Sequence, residues 1–177
     1  MQTSSSKNFT KKGFTLVETL VAIAVLMIAV AGPLVIANKA LTSALYARDQ
    51  SAASYLAQEE MEIIKNTRDN NLKGSTTPLP WLNSIDSCVN GNMCDLTHVN
   101  GFSSVTSGAG ADGYPLYLGS NGYDHDPGSG TKTLFSRYFT LTQIDPNDYK
   151  IEVGVSWNEG TVPNKVTLHS ELVNAVR

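Results

Sequence analysis

Lys11-Lys12-Gly13-Phe14-Thr15-Leu16-Val17-Glu18 decides how this chain is read, because it runs directly into an apolar segment. From Leu20 to Ala37, 18 consecutive residues carry neither a charge nor a polar side chain. That length is enough to propose a helix that crosses a bilayer. One acid, Glu18, stands inside the start of this apolar region. A charged side chain at the centre of a membrane helix costs about 2.5–3.5 kcal/mol on insertion scales, so such an acid needs a partner cation and marks a functional position. Working outward, residues 1–13 are hydrophilic and hold Lys7, Lys11 and Lys12 with no acid. The positive-inside rule then puts the N-terminus in the cytoplasm and the C-terminal part outside. An ordinary secretory signal has its apolar region ahead of the cleavage site; a cut after Gly13 would instead leave the apolar region on the mature chain. Gly32-Pro33 interrupts the run. A proline removes one helical hydrogen bond and crowds the preceding turn, so a helix break or kink is expected there.

Beyond the apolar segment the pattern remains helical. Leu41, Leu45, Ala52, Leu56 and Ile63 recur at spacings of four and seven, and Ala44, Ala53, Ala57 and Ile64 broaden the stripe. Arg48, Asp49, Gln58, Glu62 and Lys65 take other faces, which predicts an amphipathic helix with one packed side. Asn70, Asn71 and Gly74 end it, and Pro78 and Pro80 reinforce the stop. Glu59, Glu60 and Glu62 have no histidine beside them and read as a solvated acidic face rather than a metal site.

The remainder is polar. The whole chain, at 177 residues, suits one domain plus an anchor. The formal net charge is −3, and without the three leader lysines the balance is 10 basic against 16 acidic residues. That argues against nucleic acid as a partner, which needs a basic footprint. Residues 73–133 are rich in turn formers. Within them Cys88 and Cys94 have five residues between them; outside the cytoplasm a disulfide is the simple reading, with free thiols as the alternative. Pro80-Trp81-Leu82 offers an aromatic pin, and Tyr114 to Leu118, the turn Gly119-Ser120-Asn121-Gly122 and Tyr123 suggest a short hairpin. Asp124-His125-Asp126-Pro127-Gly128 reads as a polar turn; its two acids could supply oxygen to calcium but lack the spacing of a known loop. His98, His125 and His169 are scattered, and no Gly-x-Ser-x-Gly or similar motif points to an enzyme. No cofactor and no metal site is expected.

Three strands follow, Leu134 to Gln143, Tyr149 to Trp157 and Asn164 to Val173, with turns at Asp145-Pro146-Asn147-Asp148 and Asn158-Glu159-Gly160. Ile151, Val153, Val155 and Trp157 alternate cleanly against Lys150, Glu152, Gly154 and Ser156. An antiparallel meander over 134–177 with one buried face is the natural assembly, and the packed side of the outer helix is its obvious cover. The expected fold class is α+β. Its parts are a leader (1–13), a transmembrane helix (14–37), an amphipathic outer helix (38–72), a loop-rich region (73–133) and the meander.

Lys-Lys-Gly-Phe-Thr-Leu-Val-Glu followed by an apolar helix resembles the class III signal of type IV pilins and type II secretion pseudopilins. The resemblance implies that a prepilin peptidase cuts between Gly13 and Phe14 and methylates the new amino group of Phe14. Glu18 then becomes the fifth mature residue and pairs with the N-terminal amine of a neighbouring subunit, setting assembly register. Pairing of that kind is better support for register than for stability. Leu56-Ala57-Gln58-Glu59 and the later Arg68-Asp69 look like PilV-type minor pilins, related to the I-type pseudopilins. The partners implied are the prepilin peptidase, other pilin subunits in a helix bundle and an inner-membrane assembly platform. The location implied is the inner membrane, then a surface or periplasmic filament. Alternatives in view are a secretion or competence pseudopilin, and a membrane-tethered recognition module that never enters a filament.

Overall fold

A computed structural model describes residues 13–73, 80–99, 102–107, 113–120 and 122–174. The leader lysines Lys7, Lys11 and Lys12, the helix-stop residues Gly74 and Pro78, and Asn121 of the hairpin turn lie outside the described residues. A long N-terminal helix is followed by an antiparallel sheet, an α+β arrangement of pilin type. The chain divides into two compact units, one ending at Leu45 and one beginning at Tyr46.

Helix α1 spans Leu16–Lys73, 58 residues. Thr15 starts it: its Oγ1 accepts the N–H of Glu18 at 3.3 Å, satisfying one of the donors that a helix N-terminus leaves without a partner. In the first unit every described residue is exposed, including Leu20, Ile28 and Ile36. The helix continues through Gly32 and Pro33, so the turn at the expected break or kink is not melted. The proline lacks one N–H, which removes one rung of the ladder and leaves the rungs on either side of it.

In the second unit α1 buries Ala53, Leu56, Ala57, Glu60, Met61, Ile64, Thr67 and Asn71. These fall three or four residues apart, the spacing of a single helical face. Leu41 and Leu45, counted toward that stripe from sequence, are exposed at 62% and 41% and belong to the first unit. Asn71 anchors the helix end: its Nδ2 donates to the carbonyls of Trp81 at 3.2 Å and Asn83 at 2.8 Å. Trp81 in turn meets Tyr149 edge-on at 5.5 Å.

Among the described residues the sheet has seven strands: β1 (Cys94–Val99), β2 (Phe102–Ser107), β3 (Tyr114–Gly119), β4 (Gly122–Asp124), β5 (Thr131–Asp145), β6 (Asp148–Glu159) and β7 (Val162–Val173). β5 organises it. One of its edges pairs with β6 from Phe135↔Trp157 to Asp145↔Asp148, and β6 pairs with β7 along its whole length. The other edge takes β3 near its start and β1 further along, at Cys94↔Phe139. β4 extends β3 as a hairpin and β2 extends β1. The expected three-stranded meander is therefore present as β5–β7, but it is not the whole sheet. Four more strands lie in the loop-rich stretch: β3 and β4 are the short hairpin expected there, while β1 and β2 were not expected. In β1, Cys94, Asp95 and Leu96 are all buried, so the strand shows no alternation of apolar and polar residues. β2, Phe-Ser-Ser-Val-Thr-Ser, is mostly small and polar.

One core joins helix and sheet. Phe139, Leu141, Ile151, Val153, Val155 and Leu172 from the strands are fully buried against Ala53, Ala57 and Ile64 of α1. Each such aliphatic or aromatic side chain contributes about 1.5–3 kcal/mol when taken from water. Cys88 and Cys94 are joined as a disulfide, both buried, with Cα atoms 5.7 Å apart. The loop they close is stitched to β5 by the Asn90 N–H, which donates to Leu141 O at 3.0 Å. On the opposite face of the sheet the Tyr138 ring lies over its cross-strand partner Gly154, where a Cβ would run into the ring. Lys165 Nζ sits 4.7 Å from the centre of that ring, and Tyr138 OH donates to Glu152 Oε1 at 3.0 Å. Tyr138 is thus buried although it points away from the core.

Candidate functional site

The first locus is the start of α1. Gly13 has open space where a Cβ would stand, and Phe14 is 80% exposed, so the peptide bond between them is uncovered. Thr15 caps the helix, and Glu18 is exposed one turn in, three positions after the cap. The spacing Thr15-x-x-Glu18 is that of a capping box, and an acid in the first turn also suits the positive end of the helix dipole. Behind it the helix surface is apolar on every side. A soluble protein leaves no such contiguous apolar surface open, so this segment requires lipid or other apolar helices around it. Ala22, Ala24, Ala29, Ala31 and Gly32 interrupt the bulky side chains and would let a second backbone come close.

The second locus lies within the Tyr46–Arg177 unit and was not expected. Arg137, on β5, occupies an inward position between Phe135 and Phe139 and is 1% exposed. Its Nε donates to Asp95 Oδ1 at 2.9 Å, and its Nη2 stands 3.1 Å from Glu60 Oε2. The guanidinium also reaches the carbonyls of Leu96 at 3.3 Å and Leu56 at 3.4 Å, and half-exposed Glu59 at 3.4 Å. Glu60 and Asp95 are both wholly buried. Glu60 Oε1 accepts the N–H of Leu96 at 2.9 Å. His125, on the turn after β4, lays Nε2 against Asp95 Oδ2. The Tyr114 ring is 5.6 Å from the imidazole.

Burial sets the electrostatics of this cluster. It pushes the Glu60 carboxyl above the usual range, against the pull of Arg137. Burial and the nearby Glu60 charge push Asp95 well above the usual range. Burial, aided by the Arg137 charge, lowers His125 to about 4. Arg137 is held charged: burial disfavours its charge, but Glu60 and Asp95 outweigh that and raise its pKa. The acidic helix face read from Glu59, Glu60 and Glu62 is therefore only partly solvated, since Glu60 turns inward. Likewise His125 is not an isolated turn residue. The turn around it is held by its own acids, with Asp124 Oδ1 accepting from His125 N–H and Asp126 Oδ1 from Gly128 N–H at 2.8 Å.

Elsewhere Arg48–Asp49 and Arg68–Asp69 form adjacent ion pairs at 2.8 and 2.7 Å. Arg68 Nη1 also reaches Val173 O at 3.4 Å, tying α1 to the end of β7. His169 is half-exposed, 3.9 Å from Glu152.

The chain matches the family described as prokaryotic N-terminal methylation motif, over residues 8–32. Neither the curated proteins nor the solved structures gave a match. The matched segment covers Gly13, Phe14, Glu18 and the apolar run as far as Gly32, which supports a type IV pilin or pseudopilin-type subunit. The motif implies processing by a prepilin peptidase, assembly with other pilins, membrane anchoring and a filament, and it points to a structural protein.

Proposed function

We propose that the chain is a minor structural subunit of a type IV pilus. The single observation that carries this reading is a methylation motif running straight into a helix whose apolar surface is open on every side. In this reading residues 1–13 are a leader removed between Gly13 and Phe14, and the Phe14 amine is methylated. Residues 14–37 hold the chain in the inner membrane with the N-terminus inside, and later pack in the filament core. Glu18 pairs with the charged amine of a neighbouring subunit. A carboxylate in an apolar bundle is tolerated only with such a cation, so the pair fixes register. Residues 38–72 form the outer helix, and the rest of the chain is displayed outside. Leu56-Ala57-Gln58-Glu59 and Arg68-Asp69 favour the PilV-type minor class, and the presence of Glu18 speaks against the pseudopilin that caps a tip.

Mass spectrometry of the protein from purified surface filaments tests this directly. The expected product starts at methylated Phe14 and is present in small stoichiometry. Recovery only from secretion or competence filaments would move the chain to those pseudopilins. Absence from every filament, with Met1 retained, would sink the reading. Glu18→Ala separates assembly from anchoring: processing should continue while incorporation is lost, whereas unchanged incorporation would leave Glu18 as a helix-capping acid.

A further inference from the structure

Two wholly buried carboxylates, Glu60 and Asp95, face one buried guanidinium. With both ionised, the buried group would hold one uncompensated negative charge, and half-exposed Glu59 adds another nearby. Such a charge is strongly disfavoured in an interior. The geometry indicates where the compensating charge enters. Glu60 Oε1 accepts the Leu96 N–H, while Oε2 has Arg137 Nη2 at 3.1 Å as an ion pair but accepts no hydrogen bond. Asp95 Oδ1 is served by Arg137 Nε. Asp95 Oδ2 accepts only a long bond from Arg137 Nη2 at 3.5 Å, and His125 Nε2 lies against it. The same ring faces the backbone of Pro115, which has no N–H and offers only its carbonyl. An imidazole between a carbonyl and a carboxylate has an acceptor on each side. A single ring proton cannot serve both.

We propose that the His125–Asp95 pair holds one exchangeable proton, that this proton makes the Glu60–Asp95–Arg137–His125 cluster neutral, and that it latches the turn after β4 and strand β1 onto α1 in a pH-dependent manner. Carried on Asp95 Oδ2 and donated to a neutral ring, or carried by the ring and donated to the carboxylate, the proton gives the same net charge of zero; it belongs to the pair. The raised Asp95 and lowered His125 place it mainly on the carboxyl. The groups that face the pair are Glu59 and Glu60 from α1, Arg137 from β5, the Tyr114 ring from β3, and Asp124 beside His125.

The pH dependence follows by linkage. Asp95, raised in the folded state, favours folding at low pH, and that contribution is lost as pH rises from the ordinary carboxyl value toward the folded one. His125, lowered in the folded state, favours folding at high pH, and that contribution is lost as pH falls from 6.5 toward about 4. Between these limits the two slopes oppose each other, because the folded pair keeps one proton on Asp95 while the unfolded chain keeps one on His125. Above the ordinary histidine value, and until the folded Asp95 carboxyl ionises, only the folded state holds the proton. There the folding equilibrium constant falls about tenfold per pH unit.

Thermal unfolding of the full chain in detergent micelles, read at closely spaced pH values on both sides of neutrality, tests the latch. Wild type should hold a plateau and then fall above the ordinary histidine value. Asp95→Asn needs no proton, so its alkaline fall should vanish and an acid-side fall should remain. His125→Gln removes the opposing slope, so its stability should start to fall on the acid side of the wild-type plateau. His169→Gln, at an exposed histidine, should keep the wild-type profile. Should Asp95→Asn fail to fold, the His125→Gln profile decides alone. The proposal is overturned by a wild type that is flat on the alkaline side, or by variants that lose the same stability at every pH.

Discussion

Replacing Arg137 by methionine isolates what the buried cation does. Methionine is apolar and fills much of the space of the arginine stem, so the main loss is the charged guanidinium with its hydrogen bonds. Glu60 is then left wholly buried with one backbone N–H for company. Truncating one partner of a buried ion pair typically costs about 3–5 kcal/mol. A second route gives a similar figure. The cheapest escape for Glu60 is to take up a proton, and holding a carboxyl of ordinary pKa about 4.3 protonated at pH 7.5 costs about 4 kcal/mol. At pH 5 the same protonation costs only about 1 kcal/mol. The sign is that of a raised carboxyl: stability falls as pH rises, and acid restores it. With about 3 °C per kcal/mol for a domain of this size, Arg137→Met should lower the melting temperature by about 12 °C at pH 7.5 and about 3 °C at pH 5. The measurement is the melting temperature of the full chain in detergent micelles at the two pH values. Combining Arg137→Met with Glu60→Gln and Asp95→Asn should recover most of the loss at pH 7.5, because no buried charge then remains to be compensated. An equal drop at both pH values would refute the reasoning, since it would mean that Arg137 acts by packing alone.

Three further outcomes follow from contacts elsewhere. Gly154→Val drives a side chain into the Tyr138 ring and should cost about 1–3 kcal/mol; pairing it with Tyr138→Ala should recover part of that, and additive losses in the double variant would show that the two residues do not touch. Cys88→Ser opens a short loop and should cost about 2 kcal/mol by chain entropy, read as a lower melting temperature that reducing agent does not lower further. Asn71→Ala removes both bonds to the Trp81 and Asn83 carbonyls and should raise hydrogen exchange in the last turn of α1 more than around Ala57; uniform exchange would refute a local role.

How much of this was legible in the sequence depends on which residues obey a period. Leu20 to Ala37 is a single run without polar side chains, and Ile151 to Trp157 alternates without error, so the helix and the β5–β7 meander could be read directly. The methylation motif was equally plain, because it depends on adjacent residues and on no tertiary contact. The buried cluster breaks the periods instead. Arg137 sits in the inward phase of Phe135, Phe139 and Leu141, and Glu60 sits in the buried phase of Ala53, Leu56, Ala57 and Ile64. A charge in a buried phase requires a buried partner of opposite sign. The two misplaced charges, one on the helix and one on the strand that covers it, were therefore a readable signal for each other. Asp95 and His125 carried no such signal, since β1 has no alternation and the turn after β4 has no phase at all. Only the pairing of Cys94 with Phe139 brings Asp95 beside Arg137, and only the fold of the turn brings His125 over it. What sequence could not supply was the charge count of the assembled group, and that count is what makes the joint between helix and sheet depend on a proton.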